Sequence, residues 1–155
     1  MALEIERKFL VINEKWKDSV VSHAVLKQGY LATTTKASVR VRVDGDQANI
    51  NVKGSTVGIS RREYEYPIPM EEAEELLDHL VTGAAIDKVR YKVKCGDHIW
   101  DLDLFQGANK GLVVAEVELS DEEESFEMPA WAGEEVSGDT RYYNASLVKH
   151  PFSDW

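Results

Sequence analysis

The feature that most constrains this chain is an alternation of period two in which one side is apolar and the other charged. Residues 39–43 read Val-Arg-Val-Arg-Val. Successive side chains of an extended strand leave on opposite faces, so Arg40 and Arg42 share one face and three valines the other. The same reading sets Glu4, Glu6 and Lys8 opposite Leu3, Ile5 and Phe9, with Arg7 the misfit. It groups Asn49, Asn51 and Lys53; Arg61, Glu63 and Glu65; Lys88, Arg90, Lys92 and Lys94; Asp101 and Asp103; and Glu116 with Glu118, opposite Ala115, Val117 and Leu119. Eight such runs, near 3–10, 25–31, 38–43, 48–53, 61–68, 87–94, 99–105 and 112–119, predict an antiparallel β protein. They are punctuated by turn chemistry at Asp44-Gly45-Asp46, Gly96-Asp97 and Gly107 to Gly111.

Helical spacing interrupts this pattern. Met70, Ala73, Leu77, Leu80 and Val81 form one stripe behind Pro69, predicting a helix over 70–81 with an acidic outer face. Ser120-Asp121-Glu122-Glu123 reads as a capping box opening a short acidic helix toward Met128-Pro129. Further helices are expected at 14–22, around Trp16 and Val20, and at about 140–149, with Asp139 as N-cap and Tyr143 and Leu147 on its length. With no internal repeat or linker in 155 residues, the chain reads as a single α+β domain over 1–155.

Composition narrows the function. Acids outnumber bases 28 to 18, the net charge is −10 and no basic run occurs, which argues against nucleic acid and anionic membranes as partners. Cys95 stands alone, charges at residues 4, 6, 7 and 8 rule out a signal-peptide start, and no apolar run approaches the roughly 18 to 20 residues of a membrane span. A cytoplasmic location is expected. His23, His79, His98 and His150 are dispersed and suggest no zinc site. Phosphate-loop, dinucleotide and Ser/His/Asp signatures do not occur.

Same-sign pairs at i and i+2 lower the stability of a sheet unless a ligand supplies the opposite charge. Eight sequential antiparallel strands can close into a barrel with room for one small ligand. If helices cover the apolar face, the charged face lines the interior. The lining would hold Glu4, Glu6, Glu63, Glu65, Asp101, Asp103, Glu116 and Glu118 with Lys8, Arg40, Arg42, Lys53, Arg61, Lys88 and Arg90, while Lys92 and Lys94 lie nearer the rim. Guanidinium and ammonium groups bind phosphate oxygens, and paired carboxylates hold hard cations such as Mg²⁺ or Mn²⁺. A polyphosphate–metal complex satisfies both sets.

These residues also carry a resemblance. Glu4-Ile5-Glu6-Arg7-Lys8 has the form Glu-x-Glu-x-Lys, and it is followed in order by Gln28-Gly29-Tyr30-Leu31, Arg40-x-Arg42, Lys53, Ser60-Arg61-x-Glu63-Tyr64-Glu65, Lys88-Val89-Arg90-Tyr91, Asp101-x-Asp103-x-Phe105, Glu116-x-Glu118 and Gly133-Glu134-Glu135-Val136. The chain resembles the CYTH superfamily, the triphosphate tunnel metalloenzymes, and within it the small bacterial inorganic tripolyphosphatases. The resemblance implies a closed eight-stranded antiparallel β-barrel, a tunnel with helices packed outside. It implies hydrolysis of tripolyphosphate, a small-molecule substrate, to pyrophosphate and phosphate. Metal ligands would be Glu4, Glu6, Glu116 and Glu118, supported by Asp101 and Asp103. Phosphates would be gripped by Lys8, Arg40, Arg42, Lys53, Arg61, Lys88 and Arg90. Lys8, Lys88, Glu63 and Glu65 would serve catalysis, the two glutamates by orienting the attacking water or holding a second metal. Alternatives are a class IV-type adenylate cyclase, although the His-Phe element preceding the signature in such cyclases is missing, a nucleoside or thiamine triphosphatase, and a non-catalytic polyphosphate-binding module. A homodimer is held open as the assembly, and the C-terminal helix either plugs one tunnel mouth or simply packs.

Overall fold

The structure, a computed structural model, describes residues 2–155. Among these, nine antiparallel strands form one sheet: β1 (Leu3–Val11), β2 (Val20–Thr33), β3 (Ala37–Asp44), β4 (Gln47–Gly54), β5 (Ser60–Pro67), β6 (Ile86–Cys95), β7 (His98–Phe105), β8 (Val113–Leu119) and β9 (Ala132–Glu135). Helix α1 (Met70–His79) follows β5, and α2 (Asn144–Lys149) follows β9. The order β5-β4-β3-β2-β6-β7-β8-β1-β9 is joined by a second β5–β1 pairing, so the first eight strands close into the expected barrel. Among the described residues no helix is long and apolar enough to cross a membrane.

β1 is the closing strand. One of its edges pairs with β8 from Ile5 to Leu10; the other pairs with β5 at Leu3–Ile5 and with β9 at Phe9 and Val11. The hairpins β3–β4 and β6–β7 turn through two residues each, and Gly45 (φ 62°) and Gly96 (φ 59°) occupy the first loop position, where a right-twisting hairpin needs positive φ. Gly29 serves a different need: a Cβ there would stand 2.3 Å from Val81 Cγ1, so only glycine lets β2 pass beneath the segment following α1.

The apolar faces of the strands point outward and are covered, so most of the core lies outside the barrel wall. Trp16 and Trp131 pack over Ile5, Phe9, Val93, Trp100, Leu102 and Val117. Helix α1 lays Ala73, Leu76 and Leu77 on Val41 and Ala48. The inward face changes character along the barrel. Continuing at period two from the charged positions, β1 reaches Leu10, β6 begins at Ile86, β7 ends at Phe105 and β8 begins near Val114. These four pack with Leu112, Val136, Tyr142 and Leu147 as an apolar floor at one end. Arg7, the misfit of β1, faces outward and makes a bidentate ion pair with Glu135 on β9 (2.8 and 2.6 Å).

Three helices expected from sequence are altered. Residues 14–22 form only a 3₁₀ turn, Lys15–Ser19, because Val20 is already in β2 and paired with Val93. No helix follows Ser120: Glu124 rather than Glu123 reaches back to the Ser120 amide (2.7 Å), and Asp121 accepts from the Glu123 amide (2.8 Å), so local hydrogen bonds close a turn instead. The C-terminal element splits into a 3₁₀ turn, Thr140–Tyr142, where Asp139 accepts from the Arg141 amide, and the six-residue α2. Strand β9 was not anticipated, since its four residues carry no alternation.

Trp100 is fully buried and meets Phe9, Phe126 and Trp131 ring to ring. Trp100→Ala is expected to cost about 3–5 kcal/mol, the range for emptying a buried aromatic site. Urea unfolding checks this, and a loss below about 1 kcal/mol would contradict the assigned core.

Candidate active site

The barrel encloses a cavity of about 180 Å³. Its wall bears seven carboxylates (Glu4, Glu6, Glu63, Glu65, Asp101, Glu116 and Glu118) and seven cations (Lys8, Arg40, Arg42, Lys53, Arg61, Lys88 and Arg90). Asp103 lies behind this wall, 2% exposed. Thus all fifteen residues expected to line a tunnel come together, with Asp103 set one layer back. Tyr30, Ser38, Asn51, Tyr143, Asn144 and Ala145 join them. Gln28, fully buried, supports them. Asn51 shares its face with Lys53, and Gln28 and Tyr30 stand in the Gln-Gly-Tyr motif, so these three had a sequence signal. Ser38, Asn144 and Ala145 had none, because their nearness to the cavity depends on how β3 and the C-terminal segment pack.

Strand register explains most of the ion pairs. β1 sets Glu4 opposite Arg61, Glu6 opposite Glu118, and Lys8 opposite Glu116. β6 and β7 set Arg90 opposite Asp103 and Lys92 opposite Asp101. Glu4 accepts from Lys53 (3.2 Å) and Arg61 (3.1 Å), and Lys53 also meets Glu63 at 3.1 Å. Lys8 lies 3.5 Å from Glu116. Asp103 takes two hydrogen bonds from Arg90 (2.7 and 2.9 Å) and an ion pair from Lys88 (2.8 Å). Asp101 is shared between Arg90, at 3.4 Å, and Lys92. Glu65 and Glu118 are exposed at the rim.

Two cations differ from the rest. Among the described residues, Arg40 and Arg42 have no carboxylate within ion-pair distance. Arg42 Nε donates to Gln28 Oε1 (2.9 Å), and burial, followed by the charges of Arg40 and Arg90, pushes Arg42 down to about 9, still protonated at neutral pH. Arg40 Nε, Asn51 Nδ2 and Asn51 Oδ1 are buried without a hydrogen-bond partner, although Arg40 and Asn51 are only 5% and 1% exposed. Buried polar atoms are nearly always paired, so unpaired ones facing a cavity are free to meet a ligand or water there.

The carboxylates are held in tension. Burial, then the charges of Glu116 and Glu4, raise Glu6 to about 8, and the protonated Glu6 donates to Glu116. Burial also pushes Glu4 up, but a hydrogen bond from Glu63 and the charges of Lys53 and Arg61 hold it at about 2. Glu63 is raised by burial and by that same hydrogen bond. Glu6 and Glu116 thus share a proton, and Glu63 has its affinity for one raised beside Glu4. All-oxygen donors in such pairs suit a hard divalent ion. Among the described residues no three of them already converge as a finished cage. Burial lowers Lys88 to about 7, against the pull of Asp103.

A closed barrel whose interior is lined by balanced, buried charge defines an anion-binding tunnel protein. Residues 2–150 match the CYTH domain, and the chain belongs to that family. It is 46% identical over 155 residues to an inorganic triphosphatase of Acetivibrio thermocellus, covering 100% of this chain and 99% of that one. It is 38% identical over 149 residues to an inorganic triphosphatase of Nitrosomonas europaea (94% and 96% covered). The crystal structure of the inorganic triphosphatase NE1496 superposes with a TM-score of 0.69 at 36% identity, over 96% of this chain and 95% of that one. The Hippeastrum protein HpAC1, with a TM-score of 0.63 at 12% identity over 77% and 81% of the two chains, shares the fold alone.

Asp103→Asn would leave the buried Lys88 without its counter-charge and Arg90 with Asp101 alone. A loss of about 3–5 kcal/mol is expected on urea unfolding, the cost of breaking a buried ion pair on one side. Glu6 supplies a pH test. Its folded pKa lies above its ordinary value of 4.5, so the folded state binds the extra proton, and the stability this gives below about 4.5 is lost as pH rises through about 8. In chelator, unfolding free energy should therefore fall across that window, and Glu6→Gln should flatten the fall. A slope that Glu6→Gln leaves unchanged would contradict the shared proton.

Proposed function

We propose that this chain is a metal-dependent inorganic triphosphatase, hydrolysing tripolyphosphate to pyrophosphate and phosphate inside the barrel of a single domain spanning 1–155. One observation carries the reading: two arginines without counter-ions, the buried Arg40 and the half-buried Arg42, face the barrel cavity beside the unpaired amide of Asn51. The cavity supports an inorganic substrate. At about 180 Å³ it is smaller than the roughly 300–1,000 Å³ sites that enclose drug-sized ligands, which favours a small inorganic anion. The two inorganic triphosphatase relatives support the same substrate. The acidic surface and the single cysteine support the expected cytoplasmic location.

Arg40 and Arg42 bind phosphate oxygens first, because no internal anion competes for them. Lys88 and Arg90, fixed in direction by Asp103, hold the chain from the β6 wall, and Lys8, Lys53 and Arg61 hold it from the β1 and β5 side. Glu6 with Glu116 and Glu4 with Glu63 would hold Mg²⁺ or Mn²⁺, with Glu118 at the rim completing the oxygen set. A dication held by these carboxylates would supply an activated water and offset the negative charge of the polyphosphate. Glu63, with its raised affinity for a proton, would accept one, once released from its hydrogen bond to Glu4, as water attacks the terminal phosphorus in line with the breaking anhydride bond. Asp103 has both oxygens engaged by Lys88 and Arg90, and Asp101 is shared between Arg90 and Lys92. We therefore assign these two to positioning rather than metal ligation. Glu65, exposed at the rim, would act on the entering substrate.

Phosphate release from tripolyphosphate, ATP and thiamine triphosphate, each with Mg²⁺, Mn²⁺ or chelator, tests the reading. Tripolyphosphate with metal should be the best substrate, and no turnover on any of the three would end it; cyclic AMP from ATP would favour a cyclase. Arg42→Ala should raise KM for tripolyphosphate at least tenfold, and Glu116→Gln should abolish metal-dependent turnover in a folded protein.

A further inference from the structure

One end of the cavity is shut by the C-terminal segment. Asn144 Oδ1 accepts from Lys88 Nζ (3.0 Å) and from Gln28 Nε2 (3.1 Å), and Lys8 Nζ donates to the backbone oxygen of Tyr142 (3.2 Å) and lies 5.2 Å from the Tyr143 ring. The polarity of this network has one solution. Lysine and arginine only donate, so Gln28 must present its oxygen to Arg42 and therefore its NH₂ to Asn144, and Asn144 must present its oxygen to both Gln28 and Lys88. Two of the groups that would grip phosphate are thereby tied to Asn144, Lys88 directly through the amide oxygen and Arg42 through Gln28. Beneath it lies the apolar floor, with Leu147 and Tyr142 buried in it.

We infer that Asn144 is the end-stop that sets the length of polyphosphate the tunnel accepts. The inference rests on the triphosphate reading and deepens it. Asn144 touches Lys88 and Gln28 with the same kind of atom that a phosphate offers. A phosphate oxygen arriving there meets an acceptor whose donors are already engaged, and behind it an apolar wall that cannot solvate charge. A phosphoryl group that advances past this point must displace the Asn144 oxygen and press against Tyr143. Specificity then arises from the acceptor left without a donor rather than from an added attractive contact.

The test compares tripolyphosphate with tetrapolyphosphate on the full chain. Binding is read by calorimetry in chelator, where metal-dependent turnover stops, and kcat/KM is read with Mg²⁺. The wild-type chain should favour tripolyphosphate in both measurements. Asn144→Ala frees the donors and shortens the stop, and should shift the tetra-to-tri ratio toward tetrapolyphosphate at least tenfold in both. Asn144→Asp keeps the shape but sets a negative charge against the anion, and should weaken tripolyphosphate binding at least tenfold. A merely structural asparagine would scale both anions together. A ratio unchanged in Asn144→Ala, or tripolyphosphate bound by Asn144→Asp as tightly as by wild type, would overturn the end-stop alone. Failure of the wild-type chain to bind either anion would overturn the end-stop and the triphosphate reading together.

Discussion

The barrel depends on Asp103. Its carboxylate, 2% exposed, sits behind the cavity wall between Arg90 and Lys88, and it makes possible a wall that faces inward with more cations than water could reach. Each buried ion costs several kcal/mol to desolvate, and only good geometry with a counter-charge offsets this. Strand register supplies that geometry at Arg90, whose partner across β6–β7 is Asp103 itself, and at Glu4, whose partner across β1–β5 is Arg61. Charge placed at period two is thus compensated sideways, between strands.

Because this compensation is nearly complete, its gaps carry information. Lys8, Lys53, Arg61, Lys88 and Arg90 all meet carboxylates, whereas Arg40 and Arg42 on β3 face Asn49, Asn51, Gln28 and Tyr30. Neutral neighbours leave those two guanidinium groups available to a ligand. The carboxylates show the reverse imbalance around Glu6 and Glu116, relieved by a shared proton. Surplus positive charge on β3 and surplus oxygen donors around β1 and β8 in one small cavity match an anion carried with a cation. The molecule's charge of −10 does not oppose this, because the cavity wall balances and the excess acid sits outside, as on α1 with Glu71, Glu72, Glu74, Glu75 and Asp78.

Legibility in the sequence followed the strength of local rules. The strands were readable because Val-Arg-Val-Arg-Val and its counterparts leave only one extended arrangement that separates charge from hydrocarbon. Helix α1 was readable from a long stripe, although Leu80 at its end is exposed. The Trp16 segment and the Ser120 segment were misread as helices, since a few residues with apolar spacing or a cap-like tetrapeptide do not outweigh strand pairing or a competing side-chain turn. Among the site residues, those on strands were found by parity. Asp103 and Asp101 were found too, but their ion pairs depend on which strand lies beside β7, and parity does not state that.

The sequence by itself determined the strands and which charges share a face, because period-two patterning separates charge from hydrocarbon within each strand; that the apolar face is covered from outside, so the charges line a closed barrel, was decided by the tertiary structure. The tertiary structure decided how those charges pair, since pairing follows register between strands far apart in the chain. It also decided where the tunnel ends. The inward positions of β1, β6, β7 and β8 turn apolar at Leu10, Ile86, Phe105 and Val114, and that floor becomes a closed end only when Tyr142 and Leu147 dock on it and bring Asn144 against Lys88. Nothing local to Asn144 foretells that contact, because it joins residues 56 apart through packing rather than through any repeat in the chain.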